Sequence, residues 1–232
     1  PDLEGRRKAA AEEIDDLGPL ADEPLRAGGR ADEHDLPVPD GERLSRALLE
    51  PLLAEGQLHG SLATNGPIVL TMRQGGYEGT ELPGDSFPGR YFASWEPGPL
   101  SDVAIGAGFT VDTLEVADDW IDLGGRAART LPDFVGAKMR VLVCGLNPSV
   151  YSADTGVGFA RPGNRFWAAA LAAGIVSRDR DAWHALDAHG IGMTDLVKRA
   201  TPRAAELSRD EYRAGAARVR ALVRWLRPKV LC

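Results

Sequence analysis

The chain has 232 residues, 44% of them hydrophobic, which is enough to bury the core of one large domain or two small ones. Its two cysteines, Cys144 and Cys232, have no CxxC spacing and no histidine cluster near them, so we predict neither a disulfide framework nor a zinc site. No apolar run reaches the roughly 18 residues of a membrane span, and no signal segment opens the sequence, so we expect a cytoplasmic protein without membrane contact.

The formal net charge of -7 is distributed unevenly along the chain. Residues 138–232 contain 16 Lys and Arg and 8 Asp and Glu, a net of +8, whereas residues 1–137 contain 11 and 26, a net of -15. Such asymmetry predicts separate domains, and the basic half is the one that could bind a polyanion. The alternative is that its arginines simply lie on solvated helix faces.

The first half of the chain reads as an irregular segment followed by mixed helices and strands. Residues 1–41 are acidic and rich in Ala, Gly and Pro, with only a weak helical pattern at residues 4–17. Periodic leucines predict a helix at residues 42–53. The other elements predicted here are strands at 58–63, 68–72, 109–116 and 120–128, a strand or loop at 90–95, a Gly/Pro-rich loop at 75–89, a helix at 99–107 and a linker at 130–136.

This order of elements resembles the carboxyl-terminal half of a class I S-adenosylmethionine-dependent methyltransferase. Residues 58–62, 90–92, 100–109 and 120–129 carry the resemblance. The family's cofactor site is a glycine-rich turn after the first strand, followed by an acidic residue, and no such turn precedes Glu42. We therefore expect a structural remnant of a Rossmann-like domain that binds no cofactor.

The most informative stretch begins with a short apolar strand at residues 141–144, which breaks at Gly145-Leu146-Asn147-Pro148-Ser149. Ligands of open α/β sheets bind outside the carboxyl ends of the strands, so Asn147 is expected at the mouth of a crevice. The loop continues through Gly156, Gly158 and Phe159. A flat apolar ring beside exposed backbone donors suits a planar heterocycle.

The rest of the chain alternates helices with strands. Helices are predicted at residues 168–173 and 183–189, and a strand or loop at 191–197. A capping box at residues 208–211 opens a long helix with apolar residues on one face and arginines largely opposite. A hydrophobic strand is predicted from residue 228.

Three ordered motifs resemble the mismatch-specific uracil/thymine-DNA glycosylase family, over roughly residues 139–232. They are CGLNP at 144–148, GVGFARPGNRFW at 156–167 and GMTDLV at 192–197 followed by RAT at 199–201. The resemblance implies a three-layer α/β/α sandwich, an incomplete form of the uracil-DNA glycosylase fold, preceded by the partial Rossmann-like α/β segment. The expected divisions are 1–41 (irregular), 42–129 (methyltransferase-like), 130–137 (linker) and 138–232 (glycosylase).

The resemblance also implies the roles of individual residues. Asn147 would hold the attacking water, and Phe159 would stack on the flipped base. Arg161 and Arg165 would contact DNA phosphates, although Arg165 could instead pair with a backbone carbonyl. Asp154 could assist the water, but a loop-capping role fits it better. The other residues of the expected base pocket are Gly145, Leu146, Pro148, Ser149 and Ser152, with backbone N–H groups near Leu146 and Phe159 binding the base carbonyls.

The expected partner is double-stranded DNA with a G·U or G·T mismatch, bound by a monomer without metal or cofactor. In the family the chain continues beyond the last strand to an Asn-Pro-Ser-Gly-type loop that wedges into the duplex. We therefore expect this chain to be a fragment with weak or no activity alone. Two alternatives remain: a module that binds S-adenosylmethionine or a nucleotide, and a noncatalytic DNA-binding domain, whose binding would be salt-sensitive and indifferent to the mismatch.

Overall fold

The computed structural model describes residues 57–81, 84, 86, 90–136 and 139–232, all within one compact unit, Pro39–Cys232. The helices predicted at residues 4–17 and 42–53 lie outside this range. The strands are β1 (Pro67–Gln74), β2 (Glu78–Gly79), β3 (Phe92–Trp95), β4 (Phe109–Ala117), β5 (Trp120–Ala127), β6 (Val141–Gly145), β7 (Ile191–Asp195) and β8 (Val230–Leu231). The helices are α1 (Gln57–Gly60), α2 (Pro97–Gly106), α3 (Val150–Thr155), α4 (Phe166–Ala172), α5 (Ala182–His189) and α6 (Arg209–Leu226).

The strands form two sheets. The first has the order β2-β3-β1-β5-β4, with β1 and β3 parallel and its other pairs antiparallel. Strand β5 alternates exposed and buried residues, and Ile121 and Leu123 on its inner face are fully buried. The second sheet has the order β7-β6-β8 and is entirely parallel. This arrangement of helices with a parallel-containing sheet confirms the α/β fold class.

Most predicted elements are found close to their expected positions, with three departures. Strand β2 lies within the predicted loop at 75–89. The strand predicted at residues 58–63 is wrong: the chain forms α1 and a turn there. Long-range contacts override the alternating pattern, because the His59 ring bonds to the carbonyl of Ala128 at 2.7 Å and packs edge-on against Phe109. Helix α3 was not predicted, although Ser149 caps its first turn and Gly156, at φ 69°, ends it.

The segment predicted as a linker is packed into the structure. Phe134 exchanges two backbone hydrogen bonds of 2.8 Å with Met193 of β7, and Leu131 and Val135 are buried. One core cluster contains Leu100 of α2 together with Leu222 of α6, on either side of this segment. A domain boundary at residues 130–137 stays a prediction, but the two sides share buried contacts.

A buried ionic network holds this segment against β7 and α6. One oxygen of Asp133 accepts hydrogen bonds from Lys198 Nζ and Thr194 Oγ1, both at 2.7 Å, and the other accepts one from Arg218 Nη1 at 2.6 Å. Arg218 Nη2 donates to the carbonyl of Asp195 at 2.8 Å. Burial alone would raise the pKa of Asp133, but the charges of Arg218 and Lys198 outweigh it and hold that pKa below its ordinary value.

In the described ranges, no helix is long and apolar enough to cross a membrane.

We predict that Asp133→Ala lowers the free energy of unfolding by about 3–5 kcal/mol, because it leaves two buried cations without their counter-ion. Urea denaturation at pH 7 measures this loss. The matched control is Asp154→Ala, which removes an exposed pair with Arg129 and should leave the midpoint nearly unchanged. Since the pKa of Asp133 is lowered, its contribution is present at neutral pH and disappears as pH falls below about 4. Equal losses for the two variants would contradict the assignment.

Candidate active site

A cavity of about 160 Å³ lies at the carboxyl ends of β6 and β7. The structure brings together in its lining the predicted residues Gly145, Leu146, Asn147, Pro148, Ser149, Ser152, Phe159 and Arg161. Arg165, the remaining predicted site residue, lies outside the lining. The strand-end rule therefore agrees with the position of this cavity, whereas its being the functional site and the role of each residue stay predictions.

The Asn147 side chain is fixed in one orientation. Its Nδ2 donates to the carbonyl of Arg199 at 3.0 Å and to Thr201 Oγ1 at 2.8 Å, with a longer contact of 3.2 Å to the carbonyl of Pro148. Carbonyl oxygens can only accept, so the amide nitrogen must face them and the amide oxygen must point away. Thr201 Oγ1 gives its own proton to the carbonyl of Arg203 at 2.9 Å, which leaves it as an acceptor for Asn147.

The two loops that carry these residues are joined by backbone hydrogen bonds. Leu196 N donates to the Gly145 carbonyl at 2.7 Å, and Val197 N to the Leu146 carbonyl at 2.9 Å. Thr201 N donates to the Pro148 carbonyl at 3.2 Å. The loop after β6 therefore cannot move independently of the loop after β7.

Phe159 forms an aromatic wall of the cavity. Its ring stacks on Phe166 with centroids 4.3 Å apart and planes 25° apart. Because Phe166 does not line the cavity, the Phe159 ring lies between Phe166 and the open space. The backbone at Phe159 has φ 57°, a left-handed conformation that costs about 1–3 kcal/mol for such a residue. Trp167, 1% exposed, fixes this loop by donating its indole N–H to the Gly158 carbonyl at 2.8 Å.

The two serines of the lining are arranged as a helix cap. Ser149 Oγ accepts from Ser152 N at 3.1 Å and donates to Ser152 Oγ at 3.0 Å. Their side chains therefore satisfy each other and the first turn of α3. The two serines therefore form a fixed polar part of the cavity lining.

Asp195, at the end of β7, is a lining residue that the sequence analysis did not single out. Burial raises the pKa of its carboxyl to about 6, with Asp133 adding to the rise and Lys198 opposing it. A Cβ at Gly145 would lie 2.4 Å from Asp195 Oδ1, so only glycine leaves room for this carboxyl. Its position at the end of a second parallel strand could have identified it, by the argument used for Asn147.

Asp154 takes neither of the roles considered for it. It lies in α3, outside the cavity lining, and both of its oxygens accept from the Arg129 guanidinium, one of them at 2.7 Å. The hydrogen bonds from Arg129 lower the pKa of Asp154. A carboxylate paired in this way is not available to a water in the cavity.

The two predicted DNA contacts are exposed on the loop between α3 and α4. Arg161 lines the rim of the cavity, and Arg165 precedes the first residue of α4. Within the described part of the chain, neither guanidinium has an ion pair or hydrogen bond. The carbonyl pairing considered for Arg165 is therefore not seen among these residues.

The described residues contain no group of three or more His, Cys, Asp or Glu that could hold a metal ion. Cys144, directly before the cavity, is half-buried, and burial raises the pKa of its thiol to about 12. At neutral pH this thiol is protonated and is a poor nucleophile.

Comparison with known families gives one match to this part of the chain. Residues 132–232 match the family model of the uracil DNA glycosylase superfamily. The matched range contains every residue of the cavity lining except Leu131. Residues 132–232 are therefore similar to uracil-DNA glycosylases, and the match supports a DNA glycosylase, a hydrolase of DNA repair, as the activity of this segment.

Proposed function

We propose that the cavity at the ends of β6 and β7 hydrolyses the N-glycosidic bond of uracil or thymine in mismatched double-stranded DNA. The water oxygen attacks C1′ of the deoxyribose, the bond from C1′ to the base nitrogen breaks, and the base leaves with the bonding electrons. The water proton passes to solvent. The reaction needs a positioned water and stabilisation of a departing anion.

The fixed Asn147 amide is the observation that carries this proposal. Its nitrogen is occupied by the loop after β7, which leaves Oδ1 to accept a proton of the water. An amide cannot remove that proton as a carboxylate could, so the rate gain rests on placing the water in line with C1′. The hydrogen bonds that hold the amide supply that precision.

The other walls of the cavity suit a flipped pyrimidine. The Phe159 ring offers a stacking face, worth about 1–3 kcal/mol per base. We assign the backbone N–H groups of Leu146 and Phe159 to the base carbonyl oxygens, a role in which one donor is worth about 3 kcal/mol. Preference for G·U and G·T sites follows because unstacking costs least at a mismatch.

DNA would approach the face on which Arg161 and Arg165 are exposed. Both guanidiniums lie beside the loop that encloses the base and are suited to phosphate contacts, which fix position without reading sequence. The excess of basic residues in the glycosylase-like segment also suits a polyanionic partner.

We expect Asn147→Ala to slow uracil release from a G·U duplex about 100-fold or more, because the water loses its acceptor. Single-turnover cleavage with protein in excess, read as alkali-labile abasic sites, measures even weak activity. The same assay on a matched A·U duplex tests the mismatch preference. Circular dichroism checks that the variant folds. An Asn147→Ala variant as fast as the unsubstituted chain would contradict the proposal. So would the absence of uracil release by a folded version extended through the expected wedge loop, and binding of S-adenosylmethionine instead would favour the alternative module.

Thr201→Val should lower the single-turnover rate by about 10- to 100-fold with little change in the affinity for DNA, because the Asn147 amide loses one of its anchors. Thr201→Ser keeps the hydroxyl and should restore the rate, which distinguishes positioning from packing. If the Thr201→Ser variant were as slow as Thr201→Val, the role assigned to the hydroxyl would be contradicted.

We expect the pH dependence of the single-turnover rate to follow the ionisation of the Asp195 carboxyl. With its pKa raised to about 6, the carboxyl is ionised at pH 7.5 and repels the charge that develops on the base; below pH 6 it is neutral and can donate a hydrogen bond. We expect the single-turnover rate to rise as pH falls through 6. Asp195→Asn should be faster than the parent at pH 7.5 and flat across this range. If Asp195→Asn lowered the rate and left its pH dependence unchanged, a group other than Asp195 would be responsible for the titration.

A further inference from the structure

A second cavity, of about 490 Å³, lies on the other side of the Asp133 network. Helix α2 lines it with Pro99, Asp102, Val103 and Gly106, and α6 lines it with Arg218, Ala221, Leu222, Arg224 and Trp225. Apart from Arg224, both sets have the i, i+3, i+4, i+7 spacing of a single helix face, so each helix turns one side towards the space. Described residues around β2 and β3 also line it, and the volume is that of a small-molecule site.

Two tryptophans give this cavity an aromatic wall. Trp95 and Trp225 stand edge to face, with centroids 6.3 Å apart and planes at 86°. Trp95 is 8% exposed, and its Nε1 has no hydrogen-bond partner among the described residues. An ammonium group has no acceptor for this N–H, so the tryptophans would contribute their ring faces to a bound cation, not a hydrogen bond.

The lining also carries an excess of negative charge. Its described residues include four carboxylates and two guanidiniums, a formal net of -2, and Asp133 is paired both with Arg218 and with Lys198, which lies outside the lining. Glu78 accepts from the Tyr91 hydroxyl through Oε1, while its buried Oε2 has no partner among the described residues. Asp102 has no hydrogen bond or ion pair in the same part of the chain, and burial raises its pKa.

We propose that this cavity binds a small organic cation, an ammonium group carried on an apolar body. Ring faces of tryptophan attract such cations, and the surplus carboxylates add charge complementarity. The apolar helix faces would take the body of the molecule, and Asp102 would face its ammonium group. This site is separate from the glycosylase-like cavity and does not depend on the activity assigned there.

Three probes of similar shape test the charge: phenethylammonium, the neutral 2-phenylethanol and the anion 3-phenylpropionate. Each is titrated into the ¹⁵N-labelled protein, and the indole N–H signals of Trp95 and Trp225 are followed by NMR. We expect phenethylammonium to shift both signals and to bind about fivefold or more tightly than the alcohol. The anion should not bind.

Asp102→Asn should weaken phenethylammonium about fivefold and leave the affinity of 2-phenylethanol unchanged, because only the charge of the wall differs. The matched control is Asp187→Asn, the same change at an exposed position of α5 outside the cavity, which should alter neither affinity. Asn147→Ala should also bind the cation normally, so failure of the glycosylase proposal would leave this test intact. Equal binding of amine and alcohol, unshifted tryptophan signals, or an Asp102→Asn protein with full amine affinity would each overturn the proposal.

Discussion

The buried carboxylate of Asp133 is the point on which both cavities depend. It belongs to the segment between the two halves of the chain, yet it accepts hydrogen bonds from Thr194 in β7, from Lys198 after β7 and from Arg218 in α6. Thr194 lines the first cavity, whereas Asp133 and Arg218 line the second. A Cβ at Gly106 would lie 2.8 Å from Asp133 Oδ2, so α2 can approach the network only because this residue is glycine.

The same network sets the electrostatics of the first cavity. Burial, the largest effect, and the charge of Asp133 raise the pKa of Asp195, and together they outweigh Lys198 and Arg218, which lower it. A buried ion pair contributes little net stability when the cost of removing its charges from water is included. Here it joins three segments distant in sequence, and the hydrogen bond from Arg218 to the main-chain carbonyl of Asp195 holds the end of β7 against α6.

Sequence patterns predicted most of the cavity lining because those residues are close together in the chain. A strand that breaks at Gly145, followed by Asn147 and a glycine-rich loop ending at Trp167, is a local signal of a strand-end crevice. The orientation of Asn147 was not predictable in this way, because it depends on Thr201 and the Arg199 carbonyl, more than fifty residues away. The strand expected at residues 58–63 failed for a related reason: contacts of His59 with the far end of β5, not local periodicity, determine its conformation.

In the proposed reaction an amide takes the place of a carboxylate, so the rate would depend on geometry. The described structure supplies this geometry in three ways: backbone hydrogen bonds join the loops after β6 and β7, Thr201 orients the amide, and the Trp167 indole fixes the loop that carries Phe159. The left-handed backbone at Phe159 is consistent with this, since strain persists only where surrounding contacts over-determine the conformation. Loss of any one contact would leave the residues present but displaced, and a displacement of about 1 Å can cost about 100-fold in rate.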